Sequence, residues 1–309
     1  MFWFEDIRAR LGKQIRDDTL PHALMIAGRR GLGKRAFAFE LAATLLDVPL
    51  TTSEGQPNEQ WIVAPDFYWL KPIEGKRQIS IEQVRSLTEQ LSLSAHASRK
   101  VAIVDAANQM TLAAANALLK TLEEPQGNAA LVLLADDLSR IPATIMSRCV
   151  KLRVALPKRS ESLSWLKEQG FDSEEADIAL AQHLDAPMAA ADALRDGSAQ
   201  LLATVWKDAQ AIAAGQAEPL AVSARWRKLP FESVLGALGV LVRQLIYPKD
   251  ARMRSVSGFD HYVIDTKDAF WYLEKLNGIS RMTPGSFNAD IALDALLIPW
   301  RHGLRSAQN

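Results

Sequence analysis

Between Pro21 and Leu45 a buried strand, a glycine loop and a helix follow one another, and no other stretch restricts the fold so sharply. Pro21-His22-Ala23-Leu24-Met25-Ile26-Ala27 ends in an unbroken apolar run, as a strand covered on both faces must. It leads into Gly28-Arg29-Arg30-Gly31-Leu32-Gly33-Lys34, after which Phe37, Leu41 and Leu45 recur at four-residue spacing and predict a helix. Glycines let the backbone turn tightly enough for N–H groups and a helix N-terminus to face phosphate oxygens, while the lysine adds a point charge. In this setting the spacing predicts a phosphate-binding loop on a parallel α/β sheet, with Gly28, Gly31, Gly33 and Lys34 as candidate contacts. Position 35 departs from that chemistry. It is Arg where a Ser or Thr hydroxyl would join the ligands of Mg²⁺, and a guanidinium cannot coordinate a metal.

The stretch from Lys100 to Val150 supplies the rest of the sheet. Val101-Ala102-Ile103-Val104 reads as a second buried strand that delivers Asp105 to the sheet's C-terminal edge, and residue 106 is Ala. A helix is expected from Thr111 to Pro125, with Leu112, Ala115, Leu118, Leu119 and Leu122 on its core face. Leu131 to Ala135 reads as another buried strand; a short helix after Pro142 ends in Ser147-Arg148-Cys149, and Val150 to Arg153 forms a further strand. On spacing alone, Arg148 is an ordinary helix terminus bonding the last carbonyls, and Cys149 is packing. Asp47 to Asp66, interrupted by Pro49, Gly55, Pro57 and Pro65, reads as a surface excursion outside the sheet. Phe67 to Leu70 resumes as a strand, and Ile81 to Leu93 reads as a helix packed through Val84, Leu87 and Leu91, with Ser80 as its start signal.

After Pro157 the pattern is helical. Helical segments are expected at Leu163–Leu166, Ala176–Leu184 and Ala189–Leu194, and longer ones at 201–214, 231–246, 266–277 and 288–304. Leu235, Leu238, Leu241, Val242 and Leu245 form one apolar stripe; Ile291, Leu293, Leu296, Leu297 and Trp300 form another. Seven Lys/Arg against two Asp/Glu between Arg225 and Arg254 make a mild basic surplus, read as a solvated loop as readily as a DNA contact.

Strand-borne Asp, helix, strand and arginine, in that order, resemble a nucleotide-hydrolysing AAA+ module. The wording Asn116-Ala117-Leu118-Leu119-Lys120-Thr121-Leu122-Glu123-Glu124-Pro125 followed by Ser147-Arg148-Cys149 is similar to the clamp-loader family of bacterial DNA polymerase III. That resemblance implies an α/β P-loop NTPase (AAA+) domain over 1–156, a helical lid over 157–200 and an all-α collar for oligomerisation over 201–309. It implies that Arg148 is an arginine finger, reaching in trans into a neighbour's ATP site. Active members carry Glu after the strand-borne Asp and a hydroxyl after the loop lysine, whereas this chain has Ala106 and Arg35. Asp136 and Asp137 replace the Thr that often follows the fourth strand, and Ala189 to Ala191 stand where lids often place a basic residue. Together these features resemble the delta-prime branch, which keeps Ser-Arg-Cys but does not hydrolyse ATP. The implied partners are the motor (gamma/tau) and delta subunits and, through the complex, the sliding clamp and primer-template DNA. No cofactor is required, Asp105 is a degenerate acidic strand end, and a bound but unhydrolysed nucleotide stays open.

Composition narrows the alternatives. An apolar fraction of 48% and zero formal net charge over 309 residues exclude a disordered or polybasic chain. They also speak against a DNA-binding factor acting alone, because phosphate neutralisation needs an excess of Lys and Arg. A self-sufficient AAA+ ATPase of replication or repair is the other alternative, and positions 35 and 106 speak against it. The single cysteine leaves no internal disulfide and no four-cysteine zinc site, although many relatives carry such a zinc module near the 47–66 excursion. With no basic leader at Met1-Phe2-Trp3-Phe4 and no apolar run of about 18 residues, a cytoplasmic chain without membrane contact is expected.

Overall fold

Strand interiors made only of apolar residues demand cover on both faces, and the sheet provides it. The computed structural model describes residues 1–53, 56–62, 64–76, 78–96, 99–124, 128–246, 265–280, 282 and 287–304, without the side chains of 51–61 and 244. The chain divides into two compact units, Met1–Lys158 and Arg159–Asn309.

In the first unit, α1 (Glu5–Arg16) precedes β1 (Ala23–Ala27), and α2 (Lys34–Leu46) follows the glycine loop. Next come β2 (Thr51–Ser53), β3 (Gln56–Trp61), β4 (Phe67–Leu70), α3 (Ile81–Ser92), β5 (Lys100–Val104) and α4 (Leu112–Glu123). The unit closes with β6 (Ala129–Ala135), α5 (Ala143–Met146) and β7 (Val150–Arg153). Five of the strands form a parallel sheet ordered β4-β5-β6-β1-β7. Because side chains alternate along a strand, Met25, Ala102, Val104, Leu131 and Leu133 pack with α3 and α4 on one face. Leu24, Ile26, Val101, Ile103, Val132 and Leu134 pack with α1 and α2 on the other. Every residue of β1, β5 and β6 is therefore buried.

The excursion stays outside this sheet, but β2 and β3 pair with each other as an antiparallel ribbon, which its polar sequence did not announce. Leu112 corrects a second expectation. It is 70% exposed, because the buried stripe of α4 is centred on Ala114, Ala115, Leu118, Thr121 and Leu122. At 3.6 residues per turn, Leu112 lies roughly a third of a turn from that centre. The expected helix end at Pro125 lies outside the described residues, and α4 ends at Glu123.

The second unit is helical. α6 (Arg159–Glu168), α7 (Ser173–Gln182) and α8 (Pro187–Arg195) share a core rich in alanine: Ala176, Ala179, Ala190, Ala191 and Ala193 around Leu166 and Leu180. α9 (Ser198–Ala213) adds Ala199 to that core, then gives Leu202, Val205, Ala209 and Ile212 to a larger one. The larger core also takes in α10 (Pro219–Trp226), α11 (Phe231–Ile246), α12 (Thr266–Ser280) and α13 (Ala289–Leu297), around Trp226, Tyr272 and Trp300. Ile291 is 65% exposed rather than part of the core stripe, because Leu293, Leu296 and Leu297 occupy the opposite side of α13. The basic surplus of the 225–254 stretch falls partly on residues 247–254, outside the described residues.

Candidate functional site

The glycine loop leaves the C-terminal edge of the sheet, and each of its glycines has a steric reason to be there. A Cβ at Gly28 would lie 2.8 Å from the Val154 carbonyl oxygen, and the Gly28 N–H donates to Ala135 O at 3.1 Å. Gly31 (φ 84°) and Gly33 (φ 81°) adopt left-handed backbone that side chains resist. Lys34 opens α2 and turns back into the loop. Its ammonium donates to Gly28 O at 2.7 Å, Arg29 O at 2.8 Å and the Asp136 carboxylate at 2.6 Å, leaving the side chain 7% exposed. An ammonium has three N–H donors, so all are committed within the chain.

The neighbouring position is closed in the same way. Arg35 Nε donates to Asp105 Oδ2 at 2.7 Å, and the guanidinium lies 5.6 Å from the centre of the Trp69 ring. Asp105 is held at the end of β5 by its own N–H, which donates to Leu70 O at 2.8 Å. Ala106 follows in left-handed backbone (φ 59°) and brings a methyl group where water activation needs a carboxylate. Mg²⁺ requires open oxygen ligands in near-octahedral geometry. Here Asp105 is bonded to the Arg35 guanidinium, Asp136 to the Lys34 ammonium, and the loop hydroxyl is missing, so these residues do not fit a metal-bound nucleotide.

Arg148 sits elsewhere. β7 runs beside β1 with Val150 opposite Leu24 and Arg153 opposite Ala27. Residue 148 therefore lies at the N-terminal edge of the sheet, whereas the glycine loop leaves the C-terminal edge. At about 3.3 Å per residue the two are roughly 15–20 Å apart. α4 ends on the same side as Arg148: His22 Nε2, just before β1, is 2.9 Å from Leu122 O. Arg148 Nη1 donates to Thr144 O at 3.0 Å and Ser147 Oγ at 3.2 Å, and Nη2 forms an ion pair with Glu123. The side chain is 34% exposed. Bonding to the last turn of α5 is what an ordinary helix terminus does, and partial exposure leaves the guanidinium within reach of another molecule. Burial pushes the Cys149 thiol up to about 11, against the smaller opposing pull of Lys151, so it is no nucleophile near neutral pH.

The structure thus gathers Gly28, Gly31, Gly33, Lys34 and Asp105 at one sheet edge and puts Arg148 at the other. It adds three residues that the sequence did not single out as partners: Asp136 for Lys34, Glu123 for Arg148, and Asn108, whose Oδ1 accepts from the Asp136 N–H at 3.1 Å. A carboxylate directly after a buried strand was the available signal for Asp136.

Comparison with known proteins supplies the family. The sequence model of the family described as "DNA polymerase III, delta subunit" matches residues 4–158. The delta-prime subunit of DNA polymerase III from Pseudomonas aeruginosa is 32% identical, with 96% of each chain covered. That of Haemophilus influenzae is 33% identical over 63% of this chain and 62% of its own length. A solved DNA polymerase III gamma-subunit-related protein from Thermotoga maritima superposes with a TM-score of 0.52 at 19% identity, covering 96% of this chain and 99% of that one. This last likeness concerns the fold alone, a parallel α/β sheet domain followed by helices. The chain belongs to the family of DNA polymerase III delta-prime subunits.

Proposed function

We propose that this chain is a non-hydrolysing subunit of the DNA polymerase III clamp loader. It assembles with the motor (gamma/tau) and delta subunits and helps place the sliding clamp on primed DNA. Residues 157–200 serve as a lid and 201–309 as a collar that joins the ring. Arg148 acts as an arginine finger on a neighbour's ATP, neutralising charge that develops on the transferred phosphoryl group. The observation that carries this reading is the strand register, with Val150 beside Leu24, which sets Arg148 at the sheet edge away from its own glycine loop. An arginine so placed cannot serve its own loop, and that loop has Arg35 and Ala106 where hydrolysis needs a hydroxyl and a carboxylate.

Arg148→Ala in the assembled complex tests the assignment. The variant is expected to fold and to join the complex, while turnover at the ATP site it serves falls by about 10³-fold or more. Wild-type rates of clamp-stimulated ATP hydrolysis and clamp loading by the variant complex would overturn the finger. Failure of the wild-type chain to enter a complex with the motor and delta subunits, judged by its mass, would overturn the clamp-loader reading itself.

A further inference from the structure

We propose that Asp136 is a built-in substitute for a nucleotide phosphate, and that its carboxylate keeps the glycine loop closed to phosphate ligands. The inference rests on the reading of this loop as catalytically silent and goes further, naming the residue that excludes the ligand. Three observations carry it. The loop lysine would ordinarily bind the outer phosphates of a nucleotide, yet all of its donors are used: two by the loop's own carbonyls at Gly28 and Arg29, and one by Asp136 at 2.6 Å. A loop that turns carbonyl oxygens and a carboxylate toward its centre offers a setting for a cation, the reverse of an anion cradle, and Lys34 is the cation it holds. The backbone that carries Asp136 is also held in place: its N–H donates to Asn108 Oδ1 at 3.1 Å, and Ala135 before it accepts from the Gly28 N–H at 3.1 Å.

An entering phosphate would have to take Lys34 from Asp136 and then lie beside a carboxylate of the same sign. Asp136→Asn keeps the shape and removes the charge. Arg35 stays bonded to Asp105 in that variant, so no metal site is created and only anion binding is tested.

The experiment uses the purified full chain, with ADP and inorganic pyrophosphate in metal-free buffer as probes, followed by calorimetry and by thermal melting. Wild type is expected to bind neither probe at millimolar concentration. Asp136→Asn should bind at least about tenfold more tightly, a change of about 1.4 kcal/mol, and its melting temperature should rise with added ADP. Asp136→Glu, which retains the charge, should behave like wild type. Adding Lys34→Ala to Asp136→Asn should abolish the gain. If Asp136→Asn does not fold, Asp136→Thr takes its place in every arm.

Equal affinity of wild type and Asp136→Asn for ADP, whether both bind or neither does, would overturn the role of Asp136. A gain that survives Lys34→Ala would also overturn it. Steady phosphate release from ATP by the wild-type chain would instead strike at the silent-loop reading, so the two failures are told apart.

Discussion

Arg35 brings to Asp105 the positive charge that a metal would bring in a working site, and the swap has separable consequences. Arg35→Thr restores a hydroxyl but leaves Ala106 without a carboxylate and Lys34 bound to Asp136. The purified variant is therefore expected to release no phosphate from ATP above background; appreciable turnover would mean that water is activated by another group. The same change strands a mostly buried carboxylate, and urea denaturation should register a loss of about 1 kcal/mol. Gly28 makes a different point, since a Cβ there would meet Val154 O within the chain. Gly28→Ala should cost about 1–3 kcal/mol from overpacking, read as a lower thermal midpoint in the absence of nucleotide. The strand, glycine loop and helix were legible in the sequence because they follow one another within a few positions. Their partners were not. Lys34 and Asp136 are 102 positions apart, and only the pairing of β1 with β6 brings them together.

Elements followed the sequence wherever burial was symmetric. β1 and β6 are apolar throughout, and β5 is apolar after Lys100, because helices cover both faces, and such runs are hard to mistake. α3 starts where Ser80 said it would. The Ser80 hydroxyl accepts from the Gln83 N–H, and the Gln83 side chain accepts from the Ser80 N–H at 3.1 Å, forming a capping box. Ser80→Ala is expected to lower stability by about 1 kcal/mol, measurable as a shift of the denaturation midpoint at unchanged slope. Where one face is exposed, a list of leucines misleads: Leu112 and Ile291 were counted with core stripes and face outward. Leu112→Ser should therefore change stability by less than about 0.5 kcal/mol; a loss as large as that of a core leucine would contradict its exposure. The β2–β3 ribbon escaped notice because its residues show no apolar alternation. The sequence did not single out a helix over α10, although Pro219 at its first turn is a usable start signal.

At the scale of the molecule, among the described residues no helix is long and apolar enough to cross a membrane. The sequence separated a sheet unit from a helical one, because strands alternating with helices give way to helices alone near residue 158. It could not show how the helical half is tied together, since a single chain's periodicity does not say which cluster an apolar residue joins. α9 does the tying, with Ala199 in the alanine-rich core and Leu202 to Ile212 in the tryptophan-rich one. Native-state hydrogen exchange should find amides of α7 and α11 opening with a common free energy; widely different values would mean that the two cores melt independently. α9 runs unbroken for about 24 Å, at 1.5 Å for each of its 16 residues, from the alanine-rich core into the tryptophan-rich one. If the amides do open together, a cavity cut beneath α7, at Ala176 or Ala179, will loosen the packing around Trp226 as well.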